Sequence, residues 1–380
     1  MRAHDLQSIQ CPYHFGACMK ISECKCGNRI FFNNIQCLAC ERTIGLCDCC
    51  HSLTSFTQSS ENTYTCDQKR CGKKVVFCSN RTAAICNSMV LPVSTQLCHW
   101  CEFTSVHPDT SQLENLQRWA ELERAKRQLL FQLEWLDFPP YLGETGTEFP
   151  LEFQFLAPQI DDTGKQIPVY TGHANGVITI NLMEADRVFR ERTRLELNEP
   201  QRTLIGHMRH EIGHYIDMCY VQKVAAEKYV EIFGDPNAVS YGDAKDLYYK
   251  QGAPDNWAEN YVSAYATMHP MEDMAETMNV YLDLISIART ANVFHYSKID
   301  ISPRANIDKF VQDTLKVAVV VSEFNSDLGL MPLLPEQLPQ SVVDKIGFIH
   351  SLRGSNSNGD SPPTRRTFFF RRHKTEPQVQ

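Results

Sequence analysis

The sequence predicts two folded parts, a small cysteine-rich domain followed by a larger α+β domain in which helices dominate. Fifteen of the 16 cysteines precede residue 102, and the exception is Cys219. Beyond residue 102, short β-branched segments are followed by long segments with apolar residues at three- and four-residue steps. The expected parts are a cysteine-rich domain at 1–104, a connecting helical segment at 105–145, the α+β domain at 146–352 and a disordered tail at 353–380.

Periodicity also predicts the individual elements in chain order. Apolar residues at helical spacing predict a helix from Leu113 to Leu136, which Phe138-Pro139-Pro140 ends. Alternating and β-branched segments predict a small sheet, with strands at 149–156, 167–170 and 176–181. Apolar periodicity further along predicts helices at 220–232, 256–268, 272–290 and 307–325.

Composition and charge limit the classes of partner. The formal net charge is −8, so the basic surface that binds DNA or RNA is not expected. No apolar run reaches the roughly 18 residues of a membrane span, and the first residues are polar rather than signal-like. We therefore expect a cytoplasmic protein, in which clustered cysteines stay reduced and bind zinc. The alternative for the cysteine-rich domain is a disulfide-rich secreted module.

The most informative motif is His210-Glu211-Ile212-Gly213-His214, which lies inside a plausible buried helix. A helix places residues i and i+4 on one face, so the two imidazoles can bind one metal ion. Glu211 lies one residue along, where a general base for a metal-activated water is needed. The pentapeptide also occurs by chance on ordinary helices, so a third ligand decides the interpretation.

Acidic residues in a later helical segment offer that third ligand. Glu272 and Glu276 are four residues apart and share a helical face. One can bind the metal while the other hydrogen-bonds a ligand histidine. The alternative is that these are ordinary acids in the first turn of a helix, where the helix dipole favours them. Beside the two histidines, the ligand interpretation is the stronger one.

Two sets of early cysteines have a spacing that suits closed zinc sites. They are Cys24, Cys26, Cys37 and Cys40, and Cys78, Cys86, Cys98 and Cys101. Four thiolates leave no open position, so both sites are expected to be structural and to hold a small domain together. Seven early cysteines remain: Cys11, Cys18, Cys47, Cys49, Cys50, Cys66 and Cys71. Whether Cys47, Cys49 and Cys50 form a third cluster with Cys66 and Cys71 is left open.

Many short stretches together carry a family resemblance. They include Thr171-Gly172-His173-Ala174, Gly176–Asn181, Arg209–Tyr215, Phe233-Gly234-Asp235, His269-Pro270 and Glu272–Thr277, with Cys78-Ser79-Asn80 and Cys86-Asn87. In these stretches the chain resembles the zinc-binding metallopeptidases of bacteria that carry an N-terminal zinc ribbon. The resemblance covers nearly the whole chain, supports both cysteine sites, and implies a zincin-like fold of the gluzincin type for the α+β domain.

The resemblance also implies roles for single residues. His210, His214 and Glu272 would bind zinc, Glu211 would be the general base, and Glu276 would support a ligand histidine. Tyr265, seven residues before Glu272, would stabilise the oxyanion, and the alternative is an ordinary core aromatic. The segment 176–181 would be an edge strand that binds an extended peptide by strand addition, through Gly176, Val177, Ile178 and Thr179.

The expected function is therefore a zinc-dependent peptidase of peptides or proteins, with one catalytic and two structural zinc ions. One alternative is a zinc-dependent hydrolase of another amide or ester, because activated water does not fix the scissile group. A second is a zinc-stabilised adaptor with a vestigial site. An intact Glu211 argues against the adaptor, because a binding scaffold needs no base. The cysteine-rich domain is expected to contact protein or substrate rather than nucleic acid.

Overall fold

The structure is a computed structural model of the 380-residue chain, and it describes residues 21–92, 96–138, 149–196, 202–353 and 378–379. These residues form two compact units. One unit reaches Leu130 along the chain, and the other begins at Phe131. Cys11, Cys18 and most of the expected tail lie outside the described residues. In the described part of the chain, no helix is long and apolar enough to cross a membrane.

The first unit is built from short strands. Its elements are β1 (Ile21–Glu23), β2 (Arg29–Phe31), β3 (Thr43–Cys47), β4 (Ser52–Ser60), β5 (Thr63–Cys66), β6 (Lys74–Phe77), β7 (Ser88–Val90) and β8 (Thr104–His107). Strands β1 and β2 form an antiparallel pair, and β3 to β7 form a closed barrel in chain order. The barrel closes where β7 pairs in parallel with β3. The last described residues form β14 (Gln378–Val379), which pairs with β8.

Helix α1 (Leu113–Leu136) has the predicted bounds, and its last residues, from Phe131, belong to the second unit. Short strands follow α1 in that unit. They are β9 (Glu152–Leu156), β10 (Gln159–Ile160), β11 (Gln166–Ile167), β12 (Gly172–Ala174) and β13 (Val177–Asn181). Strands β10 and β11 pair with each other, so the strand predicted at 167–170 is confined to its first residue. Strands β12, β13 and β9 are neighbours in that order within one sheet.

Strand β13 is not the edge strand that the sequence suggested. It pairs with β12 on one side and with β9 on the other, through Val177–Thr179 and Val177–Asn181. Asn175 and Gly176, at φ 49° and 87°, form the tight Asn-Gly turn that folds β12 back onto it. Because both edges are used, Gly176, Val177, Ile178 and Thr179 offer no open edge for strand addition. That part of the prediction is wrong, and β12 is the outer strand on this side.

Helices make up the rest of the second unit. They are α2 (Arg187–Glu196), α3 (Leu204–Ile216), α4 (Gln222–Val224), α5 (Ala226–Phe233), α6 (Tyr241–Gln251), α7 (Pro270–Val293), α8 (Ile307–Asp327) and α9 (Gln340–Ser351). The prediction of a helix at 256–268 is wrong, because that segment contains only two single 3₁₀ turns. The helix predicted at 220–232 is interrupted at Ala225, whose backbone is not helical.

Two of these helices, α3 and α7, approach each other closely. A methyl group at Gly213 would lie 2.8 Å from the Cα of Ala275, so only glycine fits there without a shift. Arg209, also on α3, bonds Asp283 and Ser286 on α7. His210 and His214 lie three positions before and one position after Gly213, and Glu272 and Glu276 lie at the same offsets from Ala275.

Candidate metal centre and cysteine clusters

The close contact of α3 and α7 brings His210, His214 and Glu272 together. The two Nε2 atoms are 3.1 Å apart, and they lie 3.0 Å (His210) and 3.4 Å (His214) from the nearer oxygens of Glu272. Zinc binds imidazole nitrogen at about 2.0–2.1 Å, so tetrahedral ligand atoms are separated by about 3.3 Å. The observed separations match this value. Three protein ligands of these types fit zinc with one position left for water or substrate.

The pKa values of the acidic residues in this group depend on their burial and on the charged side chains around them. Burial by itself would raise the pKa of Glu272, but the two imidazoles outweigh burial and hold that pKa well below its usual value. Glu211 is 7% exposed, and burial raises its pKa. Its Oε2 atom is buried and has no hydrogen-bond partner among the described residues. Glu211 therefore presents an oxygen atom without a hydrogen-bond partner beside the metal group.

Glu276 orients the ring of His210 through a hydrogen bond. The Nδ1–H of His210 donates to Glu276 Oε1 at 2.7 Å, and the hydroxyl of Ser263 donates to the other oxygen at 2.7 Å. This hydrogen bond places the ring proton on Nδ1 and leaves Nε2 available as a metal ligand. Glu276 thus lies where the sequence-based hypothesis expected it. Ser263 was not singled out, although it begins the Ser-x-Tyr stretch that contains Tyr265.

Two tyrosines lie beside the metal group, one of which sequence reasoning missed. The ring of Tyr265 lies 6.2 Å from that of His210, between centroids. The Tyr241 hydroxyl donates to Glu272 Oε1 at 2.8 Å. Burial and the charge of Glu272 raise the pKa of both phenols, so both remain donors. Tyr241 begins α6, and its distance along the chain from the His210–His214 motif follows no regular spacing that would identify it as a site residue.

Twelve of the 13 described cysteines of the first unit form three groups of four, and Cys49 belongs to none of them. The groups are Cys24, Cys26, Cys37 and Cys40, then Cys47, Cys50, Cys66 and Cys71, then Cys78, Cys86, Cys98 and Cys101. Close Sγ pairs in the two groups proposed from the sequence are 3.5 Å (Cys24–Cys40) and 3.7 Å (Cys86–Cys98) apart. A Zn–S distance near 2.3 Å implies an Sγ separation of about 3.8 Å. Both groups therefore have the dimensions of tetrahedral zinc sites.

Donors to sulfur support the thiolate form in these two groups. The Arg42 guanidinium donates to Cys40 Sγ at 3.4 Å, and the backbone N–H of Cys98 donates to Cys78 Sγ at 3.3 Å. Thiolates are the form of cysteine that binds metal. The middle group was left open by the sequence, and in it the thiol of Cys50, rather than that of Cys49, joins the other three.

Comparison with known proteins matches both parts of the chain. A family model described as "Putative zinc-binding metallo-peptidase" matches residues 115–352, and one described as "zinc-ribbon domain" matches residues 21–112. Similar proteins include an uncharacterized protein of Mycobacterium bovis and uncharacterized proteins of two Mycobacterium tuberculosis strains. Each is 33% identical over 343 residues, which cover 86% of this chain and 93% of the relative. No solved structure matches the chain.

Proposed function

The chain belongs to this zinc-binding metallo-peptidase family and carries an N-terminal zinc-ribbon domain, and from that premise we propose that it hydrolyses peptide bonds. One observation carries the proposal. His210, His214 and Glu272 converge on one point, and a buried Glu211 with an unused oxygen lies beside them. A metal site that served only structure would need no such carboxylate. The proposed architecture is zincin-like, of the gluzincin type.

In this proposal, His210, His214 and Glu272 hold the catalytic zinc. A zinc ion with three protein ligands supplies a Lewis acid that activates water and polarises a carbonyl group. Glu276 holds the proton of His210 on Nδ1 and fixes the orientation of that ring. Gly213 lets α3 approach α7 closely enough for ligands on both helices to reach one ion.

Glu211 moves the proton. It accepts the proton of the attacking water and then delivers it to the leaving nitrogen of the cleaved bond. The raised pKa that burial gives Glu211 suits this double role, because the group must both take and return a proton near neutral pH. Its buried Oε2 has no competing donor among the described residues, so this atom is available for the transfer.

Tyr265 and Tyr241 provide hydroxyl donors at the same place. Donors that face the carbonyl oxygen stabilise the negative charge that develops there as water attacks. Tyr265 keeps the oxyanion role proposed from the sequence. Tyr241 is 40% exposed and bonded to Glu272, so it reaches both the metal group and the solvent side from which substrate arrives.

The two zinc sites of the zinc-ribbon domain are proposed to be structural. Cys24, Cys26, Cys37 and Cys40 hold one zinc ion, and Cys78, Cys86, Cys98 and Cys101 hold another. Thiolate ligands require reducing conditions, which agrees with the expected cytoplasmic location. A contact with a protein partner or with the substrate remains the proposed role of the domain.

A peptide library tests the peptidase proposal. The zinc-loaded protein and its Glu211→Gln variant are incubated with the library, and products are identified by mass spectrometry. We expect cleavage by the wild type and a loss of about 10²-fold or more in the variant, because general acid–base catalysis contributes on that order. Zinc content should be unchanged, since Glu211 is not a proposed ligand. Glu227→Gln, on an exposed part of α5, is the matched control.

Other outcomes would overturn parts of the proposal. Equal cleavage by wild type and Glu211→Gln would remove the assigned base. Turnover of model amides or esters, with the peptide library left intact, would favour the non-peptide hydrolase. A protein that binds zinc at this site and hydrolyses none of these substrates would favour the adaptor.

A further inference from the structure

The barrel of the first unit contains five cysteines that neither zinc-ribbon site uses. Cys47 ends β3, Cys49 and Cys50 lie in the turn before β4, Cys66 ends β5, and Cys71 lies in the connection to β6. Residues from three separate segments of the chain therefore meet at one end of the barrel. Such a meeting of thiols is not dictated by the pairing of the strands alone.

The distances between the sulfur atoms distinguish a metal site from disulfides. Cys47 Sγ lies 3.9 Å from Cys71 Sγ, and Cys50 Sγ lies 3.9 Å from Cys66 Sγ. A disulfide requires an S–S distance of about 2.05 Å, whereas a tetrahedral zinc site separates its sulfurs by about 3.8 Å. All four sulfurs lie within 4.8 Å of one another. The group thus has the dimensions of the two zinc-ribbon sites.

The group is continuous with the apolar core of the barrel. Cys47 and Cys66 are almost fully buried and pack with Phe56, Val75 and Met89, while Cys50 and Cys71 are partly buried against the same cluster. A barrel of five short strands encloses a small core, and domains of that size commonly need a metal or disulfides in addition. A metal ion held by four thiolates would supply the stability that so small an apolar core does not provide by itself.

We propose that Cys47, Cys50, Cys66 and Cys71 bind a third structural zinc ion, which links β3 to the β5–β6 connection across the intervening strand β4. Strands β3 and β5 are not neighbours in the barrel, so hydrogen bonds between strands do not join them directly. Four thiolate ligands in tetrahedral array select zinc or iron, and they leave no position open for a substrate. The proposal is independent of the peptidase activity and of its metal.

Metal analysis of the full-length protein tests this directly. Zinc per chain is measured for the wild type, for the double variant Cys66→Ser/Cys71→Ser and for Cys49→Ser, all purified under reducing conditions. We expect the double variant to contain one zinc ion fewer than the wild type. Cys49→Ser should match the wild type, because Cys49 is a neighbouring cysteine outside the group of four. Equal zinc in the double variant, or iron in place of zinc, would overturn the proposal.

A measurement on the wild type keeps the test valid if the double variant does not fold. The zinc-loaded protein is exposed briefly to an alkylating reagent, before and after a strong chelator, and each cysteine is read out by peptide mass spectrometry. Cys50 and Cys71 are informative because they are only partly buried, so burial alone would not protect them. We expect them to react only after chelation. Reaction before chelation, or a disulfide within the group, would contradict the third site.

Discussion

At the scale of single residues, the contacts of Glu272 determine how the proposed metal ligand is held. Its Oε2 atom faces His210, and its Oε1 atom faces His214 and accepts a hydrogen bond from the Tyr241 hydroxyl. Glu272 is 1% exposed, so water cannot easily replace a lost donor. Tyr241 therefore fixes the plane of Glu272 before any metal binds.

Replacing this phenol should weaken metal binding. We expect Tyr241→Phe to lower zinc affinity by about tenfold or more, since loss of a hydrogen bond to a ligand commonly costs 10–100-fold. The measurement is a competition titration with a zinc-binding dye, which needs no substrate. Tyr296→Phe, at an exposed tyrosine after α7, is the control and should keep wild-type affinity. An unchanged affinity in Tyr241→Phe would show that Glu272 is held by other contacts.

At the scale of elements, the separation of α3 and α7 decides whether the ligands meet. A methyl group at Gly213 would contact the backbone of Ala275 at 2.8 Å and the Cβ atoms of Ala275 and Met278 at 3.3 Å. Backbone cannot turn aside as a flexible side chain can, so the helices must move apart. Gly213→Ala should therefore affect stability and zinc affinity together.

We expect Gly213→Ala to destabilise the protein despite the better helix propensity of alanine. Overpacking costs about 1–3 kcal/mol, which offsets or exceeds the roughly 1 kcal/mol that alanine gains over glycine in a helix. Urea denaturation measures the change. Gly347→Ala on α9 is the matched control, because its added methyl meets only Ile307 at 3.7 Å, an ordinary contact. That control should be neutral or stabilising, and equal behaviour of the two variants would contradict the close-packing argument.

The same scale shows what could be predicted from the sequence. Helix α1 was predicted with its observed bounds, because its apolar residues recur at helical spacing. Helix α2 was missed, because it contains few apolar residues and buries none of them. The segment 256–268 was wrongly predicted as a helix. Its chain is held instead by tertiary contacts, such as the bond from Lys345 Nζ to Asn260 O at 2.7 Å.

The residues of the candidate site also divide into those that the sequence could predict and those that only the tertiary fold brings together. His210 and His214 are neighbours on one helix, so spacing alone brought them together. Glu272 and Glu276 were proposed from helical spacing and a family resemblance. Tyr241 lies 31 residues before Glu272 on a different helix, and only the tertiary fold places them in contact. The choice of Cys50 over Cys49 likewise depends on how a turn presents two nearby thiols.

At the scale of the whole molecule, we expect the two units to depend on metal to different degrees. In the first unit, buried thiols of the proposed zinc sites are part of the small cores themselves. In the second, α7 buries a long apolar face that includes Met274, Met278, Tyr281 and Leu282, and helices α8 and α9 pack against it. Metal removal should therefore cost the first unit its fold and the second unit mainly its proposed active site.

Hydrogen exchange resolved by peptide can separate these two responses in the intact chain. After chelation under reducing conditions, we expect amides of β3–β7 to lose protection, because metal binding and folding are coupled in small cysteine-rich domains. Amides of α7, α8 and α9 should keep most of theirs, since apolar burial maintains those helices without an ion. Addition of zinc should restore protection in the barrel, which excludes irreversible damage as the cause. Equal loss of protection in the barrel and in α7 would instead mean that both units depend on metal to the same degree.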